Sequence, residues 1–69
     1  MTQKNLLKAL RHKLGITQQE LQITAGVLIA TIVLIERYSY YPGEEVRARI
    51  ATALDIPETK IWTGLEESK

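Results

Sequence analysis

The segment Gly15-Ile16-Thr17-Gln18-Gln19-Glu20, followed by a second bend residue at Gly26, leaves the first half of the chain few ways to fold. Thr17 and Glu20 have the spacing of a capping box. The threonine hydroxyl accepts from the backbone N–H of residue 20, and the glutamate reaches back to the N–H of residue 17. A helix that starts at Thr17 stops before Gly26, because glycine suits a turn with positive φ. Upstream, Leu6, Leu7, Leu10 and Leu14 recur at helical spacing, with Lys8, Arg11, His12 and Lys13 largely on other faces. Gly15 closes that pattern, so a first helix is expected over residues 3–14. Downstream, a third helix is expected from Leu28 to Arg37, ending where Tyr38-Ser39-Tyr40-Tyr41-Pro42-Gly43 breaks the run. Two short helices joined by a tight glycine turn are the geometry of a helix-turn-helix.

The second half reads as helical too. Glu44 and Glu45 favour the positive end of a fourth helix. Val46, Ile50, Ala53 and Leu54 give that helix its buried stripe, with Arg47 and Arg49 toward solvent. Pro57 can open a short fifth helix whose apolar face is Ile61, Trp62 and Leu65. No strand pattern competes, which makes the chain all-α, a single domain over residues 1–69 with a short charged tail at 66–69. Sixty-nine residues without a cysteine build only a thin core, so a dimer partner is a plausible source of further burial.

Composition excludes several classes. The 45% apolar and 25% charged content is that of a folded globular chain, and a net charge of +1 neither demands nor forbids a nucleic-acid partner. The longest apolar run, Ala25 to Ile35, is too short to span a bilayer, which takes about 20 residues. The N-terminus interleaves its leucines with Lys4, Lys8 and Arg11, unlike a signal peptide, and a cytoplasmic location is expected. His12 is the sole histidine and no nucleophile–base set exists, so neither an enzyme nor a metal or cofactor is expected.

The run from Leu10 to Leu21 combines with Ala25-Gly26-Val27, Ile32, Leu34-Ile35-Glu36-Arg37, Pro42 and Ala51-Thr52-Ala53-Leu54-Asp55-Ile56. In this order and spacing they resemble the Cro/CI-type (XRE family) helix-turn-helix domain over roughly residues 6–62. The resemblance implies a compact five-helix lambda-repressor-like domain, usually a homodimer, that binds double-stranded operator DNA and regulates transcription. It implies a phosphate contact at Gln18, base edges read from Ile29, Ala30, Val33 and Leu34, and backbone contacts from the loop Arg37 to Tyr41. It also implies a structural ion pair between Arg11 and Glu36. The expected DNA-facing set is Thr17, Gln18, Gln19, Leu28, Ile29, Ala30, Thr31, Val33, Leu34, Arg37, Ser39 and Tyr40.

Three positions depart from that family pattern. Leu28 stands where a Ser or Thr usually caps the recognition helix, Gln22 where a small Ala usually lets the next helix approach, and Tyr38 where a Gly usually follows Glu-Arg. The third helix is also chemically unusual. At about 100° per residue, Leu28, Ile32 and Ile35 share an inward face. Ile29, Ala30, Val33 and Arg37 lie opposite, with Leu34 at the margin. Base edges are read largely by hydrogen bonds, and this face offers mostly methyl groups. Three readings fit it: a DNA face with weak direct readout, a helix turned further into the core or against a second copy, or a protein-interaction module docking another protein through Ile29, Val33 and Leu34. The loop tyrosines either touch phosphate or pack over a core edge. The basic face of Lys4, Lys8, Arg11, His12 and Lys13 either steers DNA or is simply solvated.

Overall fold

The computed structural model describes residues 5–63. These form five helices: α1 (Leu7–Lys13), α2 (Gln18–Ala25), α3 (Ile29–Tyr38), α4 (Glu44–Leu54) and α5 (Glu58–Ile61). The all-α, five-helix expectation is met. Among the described residues no helix is long and apolar enough to cross a membrane.

Helix α1 begins later than its leucine spacing predicts. Residues 1–4 lie outside the described residues, and Asn5 sets the start of the helix. Its Oδ1 accepts the Leu7 N–H at 3.1 Å, satisfying one of the orphan donors of a helix start. Its Nδ2 donates to the Ile35 carbonyl at 3.0 Å, which ties this end to the last turns of α3. The leucine stripe is also narrower than expected. Leu7 is fully buried and Leu10 half-buried, whereas Leu6 and Leu14 are 46% and 48% exposed. Leu14 is the last residue before Gly15, whose φ of +72° turns the chain away. The Gly15 and Ile16 N–H groups then close the helix on the His12 and Arg11 carbonyls, both at 3.0 Å.

The capping box forms as expected at α2. Glu20 N–H donates to Thr17 Oγ1 at 3.0 Å and Thr17 N–H to Glu20 Oε1 at 2.9 Å. Gly26 ends the helix with φ +67° and donates its N–H to the Gln22 carbonyl. A β-carbon at Gly26 would lie 3.2 Å from Arg49 Nη1, so conformation and space both favour glycine.

Every helix contributes to one core. Leu7, Leu21, Ile32, Ile35, Ile50, Ile61 and Trp62 are sealed within it, with Ala25, Val27, Ala51 and Leu54 around them. Of the stripe expected on α4, Ile50 and Leu54 are buried and Val46 and Ala53 pack half-buried against them. Arg49 is outward, pairing with Glu45 at 3.0 Å. Arg47 is not outward as expected. Its Nη1 donates to the Pro42 carbonyl at 2.9 Å, its Nε meets Glu58 at 3.2 Å, and its guanidinium lies 4.6 Å from the centre of the Tyr41 ring. Pro42 is fully buried, and a long arginine stem can cover apolar surface while its head supplies the donor. Tyr41 in turn meets the buried Trp62 edge-on, with ring centres 6.5 Å apart. Trp62 anchors the chain after α5 as expected; Leu65 lies outside the described residues. The Leu6 N–H donates to the Ile61 carbonyl at 2.8 Å, so the start of α1 and the end of α5 close on each other.

The charged element inside this core is the pair implied by the resemblance. Arg11 Nε meets Glu36 Oε2 at 2.8 Å and Nη2 meets Oε1 at 3.1 Å, a two-pronged contact with both side chains almost wholly buried. Arg11 Nη1 also donates to the Ile16 carbonyl at 2.9 Å, holding the turn between α1 and α2. Leaving one member of such a pair without its partner costs about 3–5 kcal/mol. Glu36→Ala is therefore expected to lower the free energy of unfolding by about that amount in a urea titration. Arg11→Met combined with Glu36→Leu should recover most of the loss, whereas equal stability of Glu36→Ala and the wild type would contradict this account. A second expectation concerns Ser39, which ends α3 with φ +58°. Left-handed backbone costs a non-glycine residue about 1–2 kcal/mol, partly offset by the greater chain entropy of glycine. Ser39→Gly should raise the melting temperature by a few degrees in a thermal melt followed by circular dichroism.

Candidate nucleic-acid interface

Helix α3 has two apolar sides, and the described residues seal only one of them. Ile32 and Ile35 are fully buried against the core. Ala30, Leu34 and Arg37 are exposed, and Ile29, Thr31 and Val33 are half-buried. A helix that is apolar all round is generally interior, yet this one lies at the surface with its second side open. The reading in which α3 sinks wholly into the core is thereby overturned: four other helices supply enough apolar surface to seal one side only. Leu28 is corrected as well. The sequence spacing placed it on the inward face with Ile32 and Ile35, but it is 73% exposed. It precedes the helix with φ −56° and ψ 140°, so the angular spacing of a helix does not govern its side chain.

The missing cap and the unexpected glutamine turn out to be one device. Leu28 has no side-chain oxygen with which to cap α3, and Gln22 reaches across from α2 to supply one. Its Oε1 accepts the Ile29 N–H at 2.7 Å. The bond satisfies the first amide of α3 and fixes the angle between the two helices. Both departures are visible in the sequence, but the link between them is not. The available signal was their coincidence, a cap lost at one position and an amide gained within reach of it.

Behind the outward face, Gln18 and Glu36 share the buried pair. Gln18 Nε2 donates to Glu36 Oε1 at 3.1 Å, so the side chain expected at phosphate is held at the first turn of α2 by the same carboxylate that grips Arg11. A hollow of about 290 Å³ opens beside them, lined by Lys8, Gln18, Val33, Glu36 and Arg37. Glu36 is neutralised by Arg11, leaving Lys8 and Arg37 as exposed cations of this rim. The basic face read along α1 thus divides. Lys4 lies outside the described residues, Lys8, His12 and Lys13 are exposed, and Arg11 is internal, its three nitrogens engaged by Glu36 and Ile16. Lys8 was not among the expected contact residues. Only the fold brings α1 alongside Arg37.

The remaining expected residues are distributed unevenly. Thr17 and Gln19 are exposed, but the Thr17 hydroxyl already serves the capping box. In the loop after α3, the Ser39 and Tyr40 N–H groups both turn back to the Leu34 carbonyl, so these amides close the helix and do not point outward. Ser39 takes the left-handed residue one position later than the usual glycine, with Tyr38 still helical. The loop tyrosines divide by position. Tyr41 packs over the core edge beneath Arg47, while Tyr38 and Tyr40 project from the surface.

No protein-family model matches the sequence. Over 51 residues, 74% of this chain and 74% of the relative, it is 39% identical to an uncharacterized HTH-type transcriptional regulator of Methanothermobacter thermautotrophicus. A short helix with a capping box, a left-handed glycine turn and a surface helix held from behind agree with that likeness, and the chain belongs to the family of helix-turn-helix transcriptional regulators.

Proposed function

We propose that this protein is a DNA-binding transcriptional regulator of the Cro/CI type that acts as a homodimer and seats α3 in the major groove. The observation that carries the reading is the open side of α3 flanked by Lys8 and Arg37. In a dimer, two such helices sit about 34 Å apart, one turn of B-DNA. Lys8, Arg37, Gln18, Gln19 and the first turn of α2 at Thr17 meet phosphate oxygens. Ile29, Ala30, Val33 and Leu34 offer methyl and methylene contacts to thymine methyl groups, with Leu28 and Thr31 at their edge. Ser39 and Tyr40 approach the backbone through their hydroxyls, since their amides are spent on Leu34. The role is binding, with no reaction catalysed and no cofactor required.

Exposure favours a second reading. Leu28 and Leu34 present apolar surface at the same helix, which also suits a helix-turn-helix domain that docks another protein through Ile29, Val33 and Leu34. Charge separates the two readings, because phosphate binding releases counterions and protein docking through methyl groups does not.

Titration of labelled duplex at a series of salt concentrations tests the proposal. Affinity should fall steeply as salt rises, and Lys8→Ala and Arg37→Ala should each lower the slope of log K against log salt by about 1. Absence of binding at about micromolar protein in about 50 mM salt would overturn the DNA reading in favour of the docking module.

A further inference from the structure

The outward residues of α3 carry almost no hydrogen-bonding groups, yet the turn that enters a major groove first has one beside it. We propose that Gln22, a residue of α2, is the base-reading group that α3 lacks, presenting its Nε2 as a donor at the N-terminal turn of the recognition helix. This inference rests on the DNA-binding reading above.

The Ile29 N–H, at 2.7 Å, can be met only by the amide oxygen of Gln22. That contact settles which way round the amide lies. Nε2 sits on the other side of the amide carbon, turned away from the α3 backbone. Among the described residues it has no recorded hydrogen-bond partner, and it is not one of the buried polar atoms left unsatisfied, so it remains in reach of solvent. At this end of the motif Gln22 is half-buried, while its neighbours Ile23 and Leu28 are both strongly exposed among the described residues. In helix-turn-helix domains it is the N-terminal residues of the second helix that contact base edges.

The chemistry of the exposed group is therefore asymmetric. A free glutamine reads adenine with one donor and one acceptor, N6 and N7 being matched together. Here the oxygen is occupied by Ile29, and the amide faces the groove as a donor only. Guanine, with acceptors at both N7 and O6, fits it best. Cytosine, whose exposed group is itself a donor, fits it worst. At the base pair beneath the first turn of α3, guanine should be preferred over cytosine by about tenfold, the usual scale of one mismatched pair.

The variant that isolates this role is Gln22→Glu. Its carboxylate still accepts the Ile29 N–H and suits a helix N-terminus, so the fold is retained. What it offers the groove is an acceptor, which pairs with the cytosine amino group. Selection from a randomised duplex library at low salt should give guanine at this position for the wild type and cytosine for Gln22→Glu. A companion pair checks the cap. Gln22→Ala should lower the melting temperature by several degrees, and adding Leu28→Ser should restore it, while the base preference at that position stays flat in the double variant. Identical selected sequences for the wild type and Gln22→Glu would overturn the assignment of Gln22 and leave DNA binding standing. A wild-type protein that enriches no duplex at all would overturn the DNA-binding reading itself.

Discussion

The two-pronged contact between Arg11 and Glu36 links four parts of the molecule at once. Glu36 belongs to α3 and Arg11 to α1, Arg11 Nη1 holds the carbonyl of Ile16 in the first turn, and Gln18 at the start of α2 bonds the same carboxylate. Two charges taken out of water gain little net stability over well-packed apolar groups, but a charge left alone is very costly. Each alternative placement of α3 or of the α1–α2 turn strands one of them. The pair therefore acts chiefly as a geometric constraint, fixing where the outward side of α3 points.

With its back fixed, α3 has its ends determined by side chains from elsewhere in the chain. At its N-terminus, Gln22 replaces the capping hydroxyl that Leu28 lacks. Near its C-terminus, Asn5 donates to the Ile35 carbonyl while the Ser39 and Tyr40 amides share the Leu34 carbonyl. A loop whose amides are turned inward this way has only side chains to offer a partner. The outward surface of α3 that we propose faces DNA is accordingly a patch of methyl groups with cations at its rim and the Gln22 amide at its N-terminal end.

The opposite corner is closed by a stack of unlike groups. Trp62 is sealed in the core, Tyr41 stands edge-on to it, and Arg47 covers Tyr41 while bonding Pro42 and Glu58. For a cysteine-free chain of this size, such stacking extends the buried surface beyond what the helix stripes supply. It also ties the Tyr41–Pro42 part of the loop after α3 to α4 and α5.

Features set by near neighbours were legible in the sequence: the capping box of Thr17 and Glu20, the helix stop at Gly15, the left-handed bend at Gly26, the buried positions of Ile32, Ile35, Ile50 and Leu54, and the order of five helices. Each depends on residues within a turn or two of one another, where spacing and backbone sterics decide the outcome. The pairing of Arg11 with Glu36 was legible only through family resemblance, since 25 residues separate the two. What needed the tertiary structure was every side chain whose partner lies on another element. Leu28 was misplaced because a residue outside the helix escapes helical spacing, and Arg47 because a distant loop and α5 supply its partners; that the exposed Lys8 lines the same hollow as Arg37 follows only once α1 packs beside α3. Gln22 is the clearest case: a sequence can state that an amide is present, but only the approach of two helices decides that its oxygen is taken and its nitrogen left free.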